Sequence, residues 1–92
     1  MTEYTKSEAA VLDYTVDWTE FLQEAETITE HSFLKTGAET ELVLGTPSLT
    51  GAQHTVFASG GVGGRVYRVT SRIVTDLGRT QEQSFLLRIT ET

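Results

Sequence analysis

The sequence predicts an all-β fold, an antiparallel sandwich of about seven short strands. Three observations carry this expectation. Apolar residues recur at every second position in several runs, the period of a strand with one buried face. Gly, Asp and Pro interrupt these runs roughly every ten residues, as turns between short strands do. The chain has 92 residues, close to the size of a seven-strand sandwich and enough for one domain.

Residues 1–10 are polar, show no stable period and read as a flexible N-terminal arm. The single domain is then 11–92. Val11 to Trp18 is the first strand, with Leu12, Tyr14, Val16 and Trp18 alternating against Asp13, Thr15 and Asp17. Trp18, the only Trp, is expected to anchor the core. Asp13 and Asp17 share a parity, yet stand about 13 Å apart at the usual rise, too far to share a proton or a cation. Their expected role is structural or solvated.

Residues 19–24 read as one short helical turn, with Thr19 as its cap and acids suited to the helix dipole. The run 24–34 is a second strand in which Ile28 and Phe33 have opposite parity, so a bulge or a strand switch is expected between them. Thr36-Gly37-Ala38 is a turn, and 39–44 a third strand with Leu42 and Leu44 aligned. Gly45-Thr46-Pro47 ends it, since Pro supplies no ladder donor. Ser48-Leu49-Thr50 is a short strand or a connector, and Gly51-Ala52 a turn. Gln53 to Ala58 is a strand with His54, Val56 and Ala58 on one side and Thr55 and Phe57 on the other.

The last third is a β-hairpin with a glycine-rich lead-in, Ser59 to Gly64. Tyr67, Val69, Ser71 and Ile73 share one face of the outgoing strand. Asp76-Leu77-Gly78-Arg79 is the turn, and Phe85, Leu87 and Ile89 share one face of the return strand. Leu86 then faces outward, as an exposed apolar residue or as part of a contact surface. Gly64-Arg65-Val66-Tyr67-Arg68-Val69 has the spacing G-x-x-Y-x-V. In immunoglobulin-like sandwiches a Tyr at this place buries its ring and returns its hydroxyl to upstream backbone. Tyr67 therefore has two readings, this tyrosine corner or an ordinary half-buried strand position.

Composition bounds function. There is no cysteine, so no disulfide, thiolate metal site or Cys nucleophile is available. No apolar run approaches a membrane span, and the N-terminus does not read as a signal peptide. The net charge of −6 disfavours nucleic acid as a partner. The charge is uneven: residues 1–50 carry ten acids against Lys6 and Lys35, whereas residues 51–92 carry five arginines against three acids. This asymmetry permits charge-matched contact between copies or with a neighbour. The glycine loop opens a strand rather than a helix and lacks a following Lys-Ser or Lys-Thr, so it does not read as a phosphate loop. No G-x-S-x-G or H-E-x-x-H motif occurs. His31 and His54 meet only through folding, and two His without a third ligand do not make a metal site. The chain reads as non-enzymatic, with no cofactor.

Two blocks, Val11-Leu12-Asp13-Tyr14-Thr15-Val16-Asp17-Trp18 and Val56 to Val69, together with Asp76-Leu77-Gly78-Arg79 and Ser84-Phe85-Leu86-Leu87-Arg88-Ile89, resemble small tailed-bacteriophage virion proteins of the fiber–tail adaptor type. The resemblance covers most of 11–90 and fits least over 35–52. It implies an immunoglobulin-like β-sandwich and a structural role joining tail fibers to the neck or tail. The partners it implies are other virion proteins, fiber N-termini and copies of the chain itself, in a virion assembled from protein made in the host cytoplasm. Arg65, Arg68, Arg72, Arg88 and Tyr4 are the expected protein contacts, beside the arm and a free strand edge, while Trp18 and Tyr67 are structural. The alternatives are a capsid decoration or head–tail connector protein, and an immunoglobulin-like protein- or carbohydrate-binding module with Tyr4 and Phe57 as its candidate aromatics.

Overall fold

The computed structural model of the chain describes residues 2–36 and 41–91. Eight strands follow in order: β1 (Thr2–Ser7), β2 (Leu12–Asp17), β3 (Ile28–Thr36), β4 (Leu42–Leu44), β5 (Ser48–Thr50), β6 (Gln53–Gly60), β7 (Val66–Thr75) and β8 (Thr80–Thr90). They form two sheets packed face to face. One has the order β1-β8-β7-β3; the other has the order β2-β6-β4, with β5 also pairing β6. β4 and β5 share one side of β6, at Ala58–Gly60 and Gln53–Thr55 respectively, and the Gly45-Thr46-Pro47 break separates them. All pairings are antiparallel except that of β1 with β8.

The alternation read from the sequence decides what is buried. Tyr67, Val69 and Ile73 of β7 and Phe85, Leu87 and Ile89 of β8 face inward. Against them lie Tyr14, Val16 and Trp18 from β2 and its end, Leu42 of β4, and Val56 and Ala58 of β6. Truncating one such side chain to Ala would cost about 2–5 kcal/mol through lost transfer energy and the cavity left behind. The expected irregularity in β3 is present, since its pairing with β7 shifts register between Ile28 and Glu30.

Three local expectations are corrected. The segment expected to be a flexible arm contains β1, paired with β8 from Thr2 opposite Phe85 to Ser7 opposite Thr90. Its inward parity includes Tyr4 and Lys6. Lys6 is buried along its stem while Nζ donates to the Ser7 carbonyl at 2.7 Å, so its methylenes serve as the apolar residue that the pattern lacks. The second strand begins at Ile28 rather than Glu24. Ala25 there has φ 64°, a left-handed conformation that breaks extension, and Glu26 folds back so that its Oε1 accepts the Gln23 amide at 2.8 Å. The 19–24 stretch forms one turn and no helix. The Trp18 carbonyl accepts the amides of Phe21 (3.0 Å) and Leu22 (3.1 Å), and the pattern stops. Its cap is Asp17 rather than Thr19: Asp17 Oδ1 accepts from Thr19 N at 2.9 Å and from Thr19 Oγ1 at 2.5 Å. These bonds hold the Asp17 carboxyl below the usual range. The turn expected at Gly37-Ala38 and the start of the 39–44 strand lie outside the described residues.

Candidate functional site

The interior of the sandwich holds a polar chain that links its two sheets. Trp18 Nε1 donates to Ser71 Oγ at 3.1 Å, Ser71 Oγ lies 2.7 Å from His54 Nδ1, and His54 Nε2 lies 3.1 Å from His31 Nδ1. Trp18 and His54 come from the β2–β6 side, Ser71 and His31 from β7 and β3. Indole can only donate, so Ser71 accepts from Trp18; its hydroxyl has no other partner than His54 among the described residues, so its own proton goes to His54 Nδ1. His54 then carries its proton on Nε2 and donates to His31. Phe33 stacks on the His54 ring at 4.0 Å between centroids. Burial first, then the neighbouring His31, lowers the His54 pKa to about 4, so the ring is neutral at pH 7. Ser71 and His54 stand at the spacing of a hydroxyl nucleophile and its base, but both are fully buried and the hydroxyl is engaged on both sides. Their arrangement is that of packing, closed to a substrate.

The tyrosine corner is formed. Tyr67 buries its ring, its hydroxyl accepts the Val62 amide at 3.1 Å and donates to Glu41 Oε1 at 3.0 Å. The glycine loop is built for this approach. A Cβ on Gly61, at φ 95°, would lie 2.7 Å from Ile89 Cγ1, and one on Gly60, at φ 75°, would lie 2.6 Å from the Glu41 carbonyl.

The expected contact arginines do not act as one set. Arg65 pairs with Glu41 at 3.6 Å, Arg72 with Glu82 at 3.6 Å and Arg88 with Glu3 at 3.2 Å, all at exposed or half-exposed positions. Such pairs contribute little to stability. Arg68 has no ion pair among the described residues. Tyr4 is 38% exposed, but its ring faces inward against Tyr14 at 5.2 Å and Phe85 at 5.4 Å, and so closes the side of the sandwich between β1 and β2. Trp18 and Tyr67 are buried.

Two features were not anticipated. Arg79, in the hairpin turn, makes a two-pronged pair with the buried Glu26, including Nε to Oε2 at 2.9 Å, and its guanidinium lies over the Phe21 ring at 4.2 Å. Arg79 is the main cause that holds Glu26 at a pKa of about 2. No local pattern reveals a pair separated by 53 positions. The second feature is Val43, 53% exposed on the outer face of the β2–β6–β4 sheet, the same face that carries the candidate aromatic Phe57 at 54%. A half-open cleft of about 610 Å³ lies beside Asp17, Trp18, Glu20, Phe21 and Gln83. Its wall at Asp17 is already satisfied by Thr19. No group of three or more His, Asp or Glu suited to a metal occurs among the described residues. No helix among them is long and apolar enough to cross a membrane.

What the geometry offers is therefore two solvent-facing sheet surfaces and open strand edges on a sandwich 44 Å long. Comparison with known proteins gives the same fold and adds a family. The chain resembles the solution structure of the PKD domain from KIAA 1837 protein, with a TM-score of 0.57 at 18% identity over 98% of this chain and 79% of that one. No curated protein matches it in sequence. A family model for Gp77, the podophage GP4 fiber-tail adaptor protein gp77, matches residues 6–88, and the chain belongs to that family.

Proposed function

We propose that this member of the Gp77 family is a non-enzymatic structural protein of a tailed-phage virion, acting as the adaptor that joins tail fibers to the neck or tail. The observation that carries the reading is the family match across residues 6–88, which spans both sheets and the polar interior. The geometry supports it. Buried polar groups are spent on holding the sandwich together. Among the described residues, every fully buried side-chain nitrogen and oxygen has a hydrogen-bond partner. Recognition then falls to faces and edges. Among the described residues β3 is the longest open edge, nine residues paired only with β7, and an extended fiber segment adds there as a further strand. The partners are other virion proteins, with neither nucleic acid nor membrane. The chain is made in the host cytoplasm and ends in the tail or neck.

Quantitative mass spectrometry of purified particles tests this reading. A low copy number equal to the symmetry of a tail or neck ring is the expected result. A copy number that scales with the major capsid protein would replace the adaptor reading with capsid decoration. Absence from particles would remove the virion role altogether and leave an immunoglobulin-like binding module.

A further inference from the structure

The polar chain that crosses the interior has a direction, and the direction makes its last bond sensitive to pH. Trp18 Nε1–H donates to Ser71 Oγ, Ser71 Oγ–H to His54 Nδ1, and His54 Nε2–H to His31 Nδ1. The indole cannot accept, so the order cannot be reversed from that end. His31, on β3, is the last acceptor. It is half-buried, whereas Trp18, Ser71 and His54 are buried. Its Nε2 makes no hydrogen bond to the described residues, and no buried side-chain nitrogen among them lacks one, so Nε2 meets water. Solvent protons therefore reach this ring first. Burial, and then His31 itself, keep His54 neutral down to about pH 4.

An imidazolium donates from both nitrogens. A second proton on His31 sets its Nδ1–H against the Nε2–H of His54, two donors 3.1 Å apart. The bond survives only if His54 moves its own hydrogen to Nδ1. That ring would then donate to Ser71, whose oxygen would accept from Trp18 and His54 together. The Ser71 hydrogen would be left without an acceptor in the core. One hydrogen bond is lost either way. Breaking the last one costs less, because the charged His31 gains hydration by turning outward, and Ser71 cannot reach water.

No other charge faces the pair among the described residues. Ile73 lies opposite His31, and Val16 and Leu49 lie on either side of His54. Phe33 stacks on the His54 ring. Lys35 shares the inward parity of His31 but stands about 13 Å along β3 at the usual rise, its Nζ donating to the Leu42 carbonyl. Glu30 is exposed, and Arg72 on β7 pairs with Glu82. Beyond Ile28, Glu26 and Arg79 compensate each other.

We infer that the His31–His54 bond is a pH-sensitive latch: protonation of His31 releases β3 from β6 and leaves the Trp18–Ser71–His54 part intact. β3 keeps its pairing with β7 and loses its polar tie to the opposite sheet. The release falls in the range where histidine ordinarily charges, between about pH 8 and pH 5. It stands apart from the adaptor reading, which particle composition tests.

Imidazole nitrogen spectra of the full chain, recorded from pH 8 to pH 5, are the test. At pH 8 a coupling across the hydrogen bond is expected between His54 Nε2 and His31 Nδ1. It should vanish as His31 gains its second proton, with His54 still in the Nε2–H form. Over the same interval the protection of β3 amides, corrected for intrinsic exchange, should fall about two- to tenfold, the equivalent of one hydrogen bond. His31→Gln supplies an acceptor that does not titrate, and its β3 protection should stay level. Trp18 fluorescence checks that this variant is folded; if it is not, the wild-type spectra decide alone. A coupling that survives protonation of His31 overturns the latch, as does a His54 that turns to the Nδ1–H form. So does a His31 still neutral at pH 5, or a fall in β3 protection that is equal in wild type and a folded His31→Gln.

Discussion

Replacing Ser71 by Ala removes the middle of the chain that runs from Trp18 to His31. Two groups lose partners at once, the Trp18 Nε1–H at 3.1 Å and His54 Nδ1 at 2.7 Å. Neither can turn to water, since Trp18, Ser71 and His54 are buried. A buried group left without its hydrogen bond costs about 1–3 kcal/mol, so the pair costs about 2–6 kcal/mol. A domain of this length has a total stability of roughly 5–14 kcal/mol, and Ser71→Ala is therefore expected to remove a large fraction of it. The assay is urea unfolding followed by the fluorescence of the single Trp, which is itself one of the orphaned groups. Thr70→Ala is the control. Thr70 is the next residue in sequence but lies on the outer face, bonded to Ser84 at 2.8 Å, and its loss costs no more than about 1 kcal/mol.

The same chain fixes a proton position and a pH response. His54 is expected as the Nε2–H tautomer, readable from its ring nitrogen shifts. Its pKa of about 4 lies below the ordinary 6.5, so between these values the unfolded chain binds the proton that the folded chain refuses. Stability is then complete above about pH 6.5 and falls as the pH drops toward 4, by on the order of 3 kcal/mol in all. A Ser71→Ala loss no larger than that of Thr70→Ala, or an Nδ1–H tautomer at His54, would refute the donor order derived from the indole.

Tyr67→Phe removes the acceptor of the Val62 amide and is expected to lower the urea midpoint by the equivalent of about 1–3 kcal/mol, with an unchanged m-value. Gly61→Ala should lower the melting temperature more than Gly64→Ala. Both glycines have positive φ, but only the Gly61 Cβ meets Ile89, and the overpacking adds about 1–3 kcal/mol. Deleting residues 2–7 removes β1 and uncovers part of Tyr14, Phe85 and Ile89, so amide exchange in β8 should quicken and the melting temperature fall; an unchanged melt would make β1 peripheral to the fold. The Glu26–Arg79 pair acts at low pH. Its stabilisation is present above the ordinary carboxylate value of 4.5 and is lost as the pH falls to about 2, so the stability gap between wild type and Arg79→Ala should close over that interval in an acid titration.

Local period was enough to place the core faces of β6, β7, β8 and of β2 together with Trp18 just past its end, because each carries at least three inward residues in strict alternation. It failed for β1. There only Tyr4 is apolar on the inward parity, Lys6 acts through its stem, and the pairing with β8 joins the two ends of the chain. The interior chain left a trace that can be read in hindsight. Ser71 stands between Val69 and Ile73, and His54 beside Val56, each a polar residue on a buried parity that must find a partner. Which partner it finds depends on how the sheets stack, and no spacing in one strand reports that. The arginines show the same limit from the outside. Arg72 and Arg88 looked free in sequence, and their acids came from a hairpin partner and from the opposite terminus.

A sandwich this small has few surfaces, and the division of labour among them follows from what the interior uses. The two sheets are held by the apolar core, by the Trp18–Ser71–His54–His31 chain and, at one end, by Glu26 and Arg79. None of these draws on the outer face around Arg68 or the outer face around Phe57. On the adaptor reading, the open edge of β3 suits a fiber, since backbone pairing accepts an extended segment of almost any sequence. A fiber peptide bound there should slow hydrogen exchange of β3 amides while leaving β8, which already has a strand on each side, unchanged. Unchanged exchange in β3 would refute strand addition at this edge.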